Sequence, residues 1–236
     1  MLRFASLVAL TFSFVQTASA DCAAWGLSPK VLTAPNTTFD GSSDGGILVA
    51  AVPEEHGKLD KGDAALQPTW RFKGRKAAPV VHSIAPGLAS IQTMEDGELV
   101  DGSGKSLVTV RVVITKKLMW IPPPPVIKAV RHNGDMRGYH GSEHVTVEFA
   151  DPMPMGTVAV ILLDAKGKPK SWGFARSPTL VEVYTSGDCI ALPNGTIPSK
   201  AGDTVMVRLV DTDGRVSQPT APIKIVAQKS PLPANP

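Results

Sequence analysis

The 236-residue chain is poor in three things that would have named a function class. It has two cysteines, which excludes a disulfide-dense scaffold and a four-cysteine zinc site. It has no one-sided charge. Without Arg3, which lies in the leading segment described below, 23 basic residues stand against 21 acidic ones. Residues 21–121 carry 11 of each sign and residues 126–236 carry 12 basic and 10 acidic. Neither half offers the basic face that nucleic acid or an anionic membrane would select, so no nucleic-acid partner is expected. Beyond the first twenty residues there is no apolar run of the ~20 residues that cross a bilayer, so no transmembrane anchor is expected. No stretch holds an apolar 3.6-residue period for three turns, which excludes a helical architecture.

The first segment reads as an export signal. Arg3 precedes the apolar stretch Phe4 to Val15, and Thr17-Ala18-Ser19-Ala20 supplies a small-residue cleavage site. The mature chain is then expected to start at Asp21, in a secreted, periplasmic or cell-surface location. In an oxidising compartment Cys22 and Cys189 are expected to pair as a disulfide. Two free thiols and bridges between chains remain the alternatives. A closure this long is worth at most about 5 kcal/mol in the loop-entropy picture.

The body of the chain reads as β. Residues 46–52, 107–114, 144–149, 157–163, 180–184 and 204–210 are short and rich in β-branched side chains, with Gly, Pro, Asp or Asn bounding most of them. Two alternate well enough to assign faces: Val145, Val147 and Phe149 share one, and so do Val205, Val207 and Leu209. The run Ile121-Pro122-Pro123-Pro124-Pro125-Val126 lacks backbone donors at its prolines and divides the chain. The expected organisation is all-β: two tandem antiparallel β-sandwich domains after a cleaved signal peptide. The boundaries are 1–20 for the signal, 21–121 for the first sandwich, 122–125 for a stiff proline hinge, 126–228 for the second sandwich and 229–236 for a disordered tail.

Val147-Glu148-Phe149-Ala150-Asp151-Pro152-Met153, followed by a strand ending in Leu163-Asp164-Ala165-Lys166-Gly167, resembles the strand–turn–strand of bacterial Ig-like (fibronectin III-like) surface domains. Gly202 to Gly214 is similar to their closing hairpin. The resemblance spans residues 126–227. It implies an Ig-like fold and a surface or spacer role in a bacterial protein, and it brings no catalytic residues.

Motifs that could carry chemistry read as turns. "DGSGKS", residues 101–106, lacks the first glycine of a phosphate loop and leads into a strand instead of a helix. "DTDG", residues 211–214, has Pro222 where a calcium loop needs its twelfth-position Glu, and "DGSSDGG", residues 40–46, is an ordinary loop. No G-x-S-x-G elbow exists. His56 and His82 read as structural, and no enzyme activity is expected.

The segment "RHNGDMRGYHGSEH", residues 131–144, holds three of the five histidines. If the strands on either side pair antiparallel, His132 and His144 lie at one end of the pair, and in register their Cβ atoms stand ~5 Å apart, close enough to share a metal. His140 joins them only if its loop folds back. Zn or Cu would be the metal. Met153 and Met155 suit Cu(I) but lie at the far end of the strand that starts at His144, roughly 20 Å away. The main expectation carries no cofactor. It is an exported, non-enzymatic binding, adhesion or spacer protein whose partner is a protein or surface polymer, acting as a monomer. The alternative is a metal-handling protein using His132, His140 and His144. Of Trp25, Trp70, Trp120 and Trp172, Trp120 beside the prolines is expected between the domains. The sequons at Asn36 and Asn194 matter only in a glycosylating host.

Overall fold

In the computed structural model the described residues are 25–40, 45–55, 69–72, 75–76, 80–92, 95–100, 103–113, 122–134, 143–186 and 192–228. Several expectations fall elsewhere. The signal segment, Cys22, Cys189, His56, His140, Trp120 and the tail 229–236 all lie outside the described residues, as do the side chains of Trp25 and Trp70.

The described residues form strands and no helix. Residues 25–113 hold β1 (Trp25–Val31), β2 (Asn36–Asp40), β3 (Ile47–Glu55), β4 (Thr69–Phe72), β5 (Arg75–Lys76), β6 (Val80–Ala85), β7 (Leu88–Gln92), β8 (Gly97–Val100) and β9 (Ser106–Val113). After the prolines come β10 (Ile127–Asn133), β11 (Glu143–Phe149), β12 (Thr157–Asp164), β13 (Pro169–Phe174), β14 (Leu180–Ser186), β15 (Thr204–Asp211), β16 (Ile223–Lys224) and β17 (Val226–Ala227). They build four sheets, ordered β1-β3-β7-β6, β2-β9-β8-β4-β5, β14-β11-β10-β17 and β13-β12-β15-β16. All pairings are antiparallel except β2 with β9 and β17 with β10, which are parallel. The all-β sandwich expected from the sequence is present, with these two parallel edges added to it.

Three apolar clusters lie between the sheets. Ile47, Val49 and Ala51 of β3 meet Phe39, Leu99, Val108 and Val110 across the first sandwich. Val145, Val147, Phe149, Val181 and Val183 meet Val160, Leu162, Val205, Val207 and Leu209 across the second. Both face assignments made from alternation, in β11 and in β15, are those observed. A third cluster joins the two sandwiches: Leu48, Ala50, Ala85 and Leu88 pack on Ala159, Ile161, Leu163 and Val210. The four sheets therefore stack as layers, and the middle two are covered on both faces.

That double burial explains the two runs that do not alternate. Residues 47–51 and 159–163 are continuously apolar and buried, because successive side chains of β3 and β12 enter different clusters. A strand buried on both faces has no polar side to show. The apolar contact between halves makes them one packed body, where the sequence alone reads the prolines as a spacer. Each fully buried Leu or Ile contributes roughly 1.5–3 kcal/mol, and a hydrophobic interface of this kind suppresses the relative motion that tandem domains otherwise have. Polar ties reinforce it. Thr33 Oγ1 donates to Thr212 O at 2.8 Å, Gly46 N–H donates to Asp213 O at 2.7 Å, and Trp172 Nε1–H donates to Pro86 O at 2.8 Å. The "DTDG" turn, closed by Gly214 N–H on Asp211 O, thus serves as a contact between halves. "DGSGKS" lies in the β8–β9 connection, with Gly104 at a φ of 87°. On the connecting run, Pro122 O accepts the Gln218 N–H at 2.9 Å.

Candidate functional site

Among the described residues a cleft of ≈ 220 Å³ opens where β13 and β14, edge strands of two different sheets, converge. β13 and β14 belong to different sheets but run close together. A Cβ on Gly173 would stand 2.2 Å from the Glu182 carbonyl oxygen, so only glycine permits that approach. Trp172 and Phe174 project from β13, and Leu180, Glu182 and Tyr184 project from β14. The far lip is the turn Pro193–Thr196, where Thr196 N–H returns to Pro193 O at 3.1 Å. Ala51 of the first half completes the lining, and Pro193 abuts Gly87. The cleft is therefore built by both halves.

Its walls are aromatic. Trp172 and Phe174 meet edge to face, with centroids 4.9 Å apart and an interplanar angle of 77°. The Arg176 guanidinium lies 5.9 Å from the Phe174 ring centroid, a cation–π distance. Trp172 was one of four tryptophans in the sequence reading. Its bond to Pro86 ties the two halves together. Tyr184 and Leu180 are exposed on the β14 side. Ser171 pairs with Leu162 and turns to the inner face of β13, away from Trp172 and Phe174, where its Oγ is buried without a hydrogen-bond partner.

Behind Glu182 and Tyr184 lies the histidine region. The β10–β11 register sets His132 opposite Val145 and Asn133 opposite His144. The two histidines sit at the same end of the pair, as expected, but one residue out of register, so their side chains leave the sheet on opposite faces. His132 points to the core side with Val145, and its Nε2 lies 3.7 Å from Glu143 Oε2. His144 lies on the outward side, 2% exposed, with the tilted Tyr184 ring centred 5.8 Å away and Glu182 Oε1 3.9 Å from its Nε2. The Asn133 amide nitrogen, a donor only, stands 2.7 Å from His144 Nε2 and 2.9 Å from Thr146 Oγ1. That makes Nε2 the acceptor and places the ring proton on Nδ1. Burial holds the His144 pKa below its usual value, with Glu182 opposing and His132 adding to the shift. His132 Nε2 and His144 Nδ1 are both buried without a hydrogen-bond partner. Among the described residues no three His, Cys, Asp or Glu side chains converge to hold a metal ion. Met153 packs against the core of the second sandwich, and Met155 is fully exposed. His82 is exposed on β6 opposite Ser90.

The cleft escaped the sequence reading because its residues are scattered over β3, β13, β14 and the 192–196 turn. The strand carrying Trp172 and Phe174 was not foreseen, although "PKSWGF" follows directly on the Asp164–Gly167 turn that was.

No family model matches the chain, and no curated protein matches it. Among solved structures, a biofilm-associated protein BSP domain aligns with 86% of the chain at 15% identity and a TM-score of 0.27. A mixed-linkage glucan utilization locus SGBP-B from Bacteroides ovatus, solved with a mixed-linkage heptasaccharide, aligns with 82% at 13% identity and a TM-score of 0.19. The chain spans 30% and 48% of the lengths of those two chains.

Proposed function

We propose that the chain is an exported, non-enzymatic binding module whose ligand seat is the cleft between β13 and β14. One observation carries the reading: a concavity walled by Trp172, Phe174, Leu180 and Tyr184 also presents the Glu182 carboxylate and the Arg176 guanidinium. Apolar walls with a few convergent polar groups are the usual composition of a binding site. The groups facing the cleft are a carboxylate, a guanidinium, hydroxyls and rings. They suit holding and orienting a partner. Export rests on the leader at residues 1–20, and no helix among the described residues is long and apolar enough to cross a membrane. In this reading residues 21–121 and 126–228 are two domains that present one site at their junction.

The volume bears on the kind of partner. Pockets that engulf a drug-sized ligand run to roughly 300–1,000 Å³, and this cleft falls below that range. It suits one unit of a longer chain, as a surface polymer or an extended protein segment would supply. The test is a printed array of polysaccharides and peptides probed with the mature chain and with Tyr184→Ala. Binding to some feature of the array, lost in the variant, is expected. Binding that survives both Tyr184→Ala and Phe174→Ala would remove the cleft as the seat.

A further inference from the structure

We infer that the unit held in the cleft is a neutral pyranose ring of a polysaccharide; this rests on the cleft being the ligand seat. It follows from the polar group that the cleft leaves without a hydrogen-bond partner. Glu182, with its side chain 43% exposed, has as its ion-pairing neighbour only His144 among the described residues. The histidine Nε2 lies 3.9 Å from Glu182 Oε1, beyond hydrogen-bond reach, and is already occupied by the Asn133 amide. The site therefore offers one carboxylate acceptor beside aromatic walls.

A ligand that satisfies both must bring O–H donors and an apolar face together. A pyranose ring does: its C–H face packs on an aromatic ring, and its rim hydroxyls donate to a carboxylate. A proline-rich segment, the other common guest of aromatic grooves, has carbonyl acceptors and no N–H at its prolines. It would leave the Glu182 carboxylate unpaired. Charge decides the rest. Arg176 and Glu182 carry opposite signs at the same cleft, so a strongly anionic sugar meets the carboxylate and a cation meets the guanidinium. A neutral unit meets neither penalty. The edge-to-face corner of Trp172 and Phe174 bounds the ring on two sides, and Tyr184, 38% exposed, offers the accessible face.

The experiment is affinity gel electrophoresis of the mature full chain. The gels carry neutral polysaccharides (glucomannan, arabinoxylan, dextran) or anionic ones (alginate, polygalacturonate), and decaproline is titrated separately by calorimetry. Retardation by at least one neutral polysaccharide is expected. Glu182→Gln and Tyr184→Ala should each weaken it by roughly tenfold or more. Unchanged circular dichroism and thermal midpoint of each variant show that it folds. Binding of decaproline or of anionic polysaccharide alone, lost in the same variants, overturns the pyranose assignment and leaves the cleft as the seat. No binding to any probe overturns the assignment. Neutral binding that persists in both Glu182→Gln and Tyr184→Ala overturns the assignment and the seat together.

Discussion

The indole N–H of Trp172 donates to the carbonyl oxygen of Pro86 across 2.8 Å, joining β13 of one sandwich to the β6–β7 turn of the other. The same ring forms one wall of the cleft. One side chain thus couples the fit between halves to the shape of the site. Trp172→Phe keeps most of the ring and deletes the donor, leaving Pro86 O without it. A loss of about 1–3 kcal/mol in unfolding free energy is expected. Trp172→Ala also empties space and should cost roughly 3–5 kcal/mol. Urea denaturation monitored by circular dichroism measures both. Equal losses for the two variants would show that the hydrogen bond, not the ring volume, carries the effect.

The third apolar cluster packs strands from before and after the prolines against each other, so the two halves are expected to unfold together. Ala50 and Ala159 are fully buried in it. A charge at Ala50 would be stranded between two sheets with no partner, which costs several kcal/mol. Calorimetry should show one unfolding transition for the native chain and a split or broadened pair for Ala50→Asp, as each sandwich melts alone. Two resolved transitions in the native chain would disprove the coupling.

Gly173 sets the spacing of β13 and β14. In Gly173→Ala the new Cβ has to displace the Glu182 backbone, because carbonyl oxygen at 2.2 Å cannot be accommodated. Overpacking of this kind costs typically about 1–3 kcal/mol. The strands part at the cleft, so ligand binding should weaken more than stability falls. Comparing the denaturation midpoint with binding on the same gels checks this. Native-like binding in a destabilised Gly173→Ala would place the ligand elsewhere.

The outer strands were legible in the sequence because one face of each meets a core and the other does not. Val145, Val147 and Phe149 alternate with His144, Thr146 and Glu148 for that reason. The inner strands β3 and β12 were legible as strands but not as a junction. Ile47 to Ala51 reads the same whether its second face is covered by a neighbour in the same half or by the other half. The histidine pairing turned on a single residue of register. Ile127 pairs with Phe149 but Ala129 with Glu148, and this irregularity in β10 sets His132 opposite Val145 instead of His144, which spacing along one strand cannot disclose. The cleft depended on long-range contacts, Pro193 on Gly87 and Trp172 on Pro86, which no local pattern encodes.

His144 should leave a pH signature on stability. The ring is buried with its Nε2 occupied by the Asn133 amide, and it faces Glu182 and Tyr184 from β14, with His132 nearby on β10. Burial holds its folded pKa below the unfolded value of about 6.5. As pH falls through about 6.5 the unfolded chain takes up a proton that the folded ring refuses. The unfolded state then binds more protons, and stability declines with falling pH until the folded pKa is passed. Above about 6.5 the ring is neutral in both states and its effect is flat. His144→Gln removes the titration and keeps a polar side chain. The difference in midpoint between native chain and variant, measured from pH 8 to pH 5, should stay constant down to about 6.5. Below that the native chain should lose the more stability. Parallel curves over the whole range would mean that His144 is protonated as readily in the fold as in the unfolded chain.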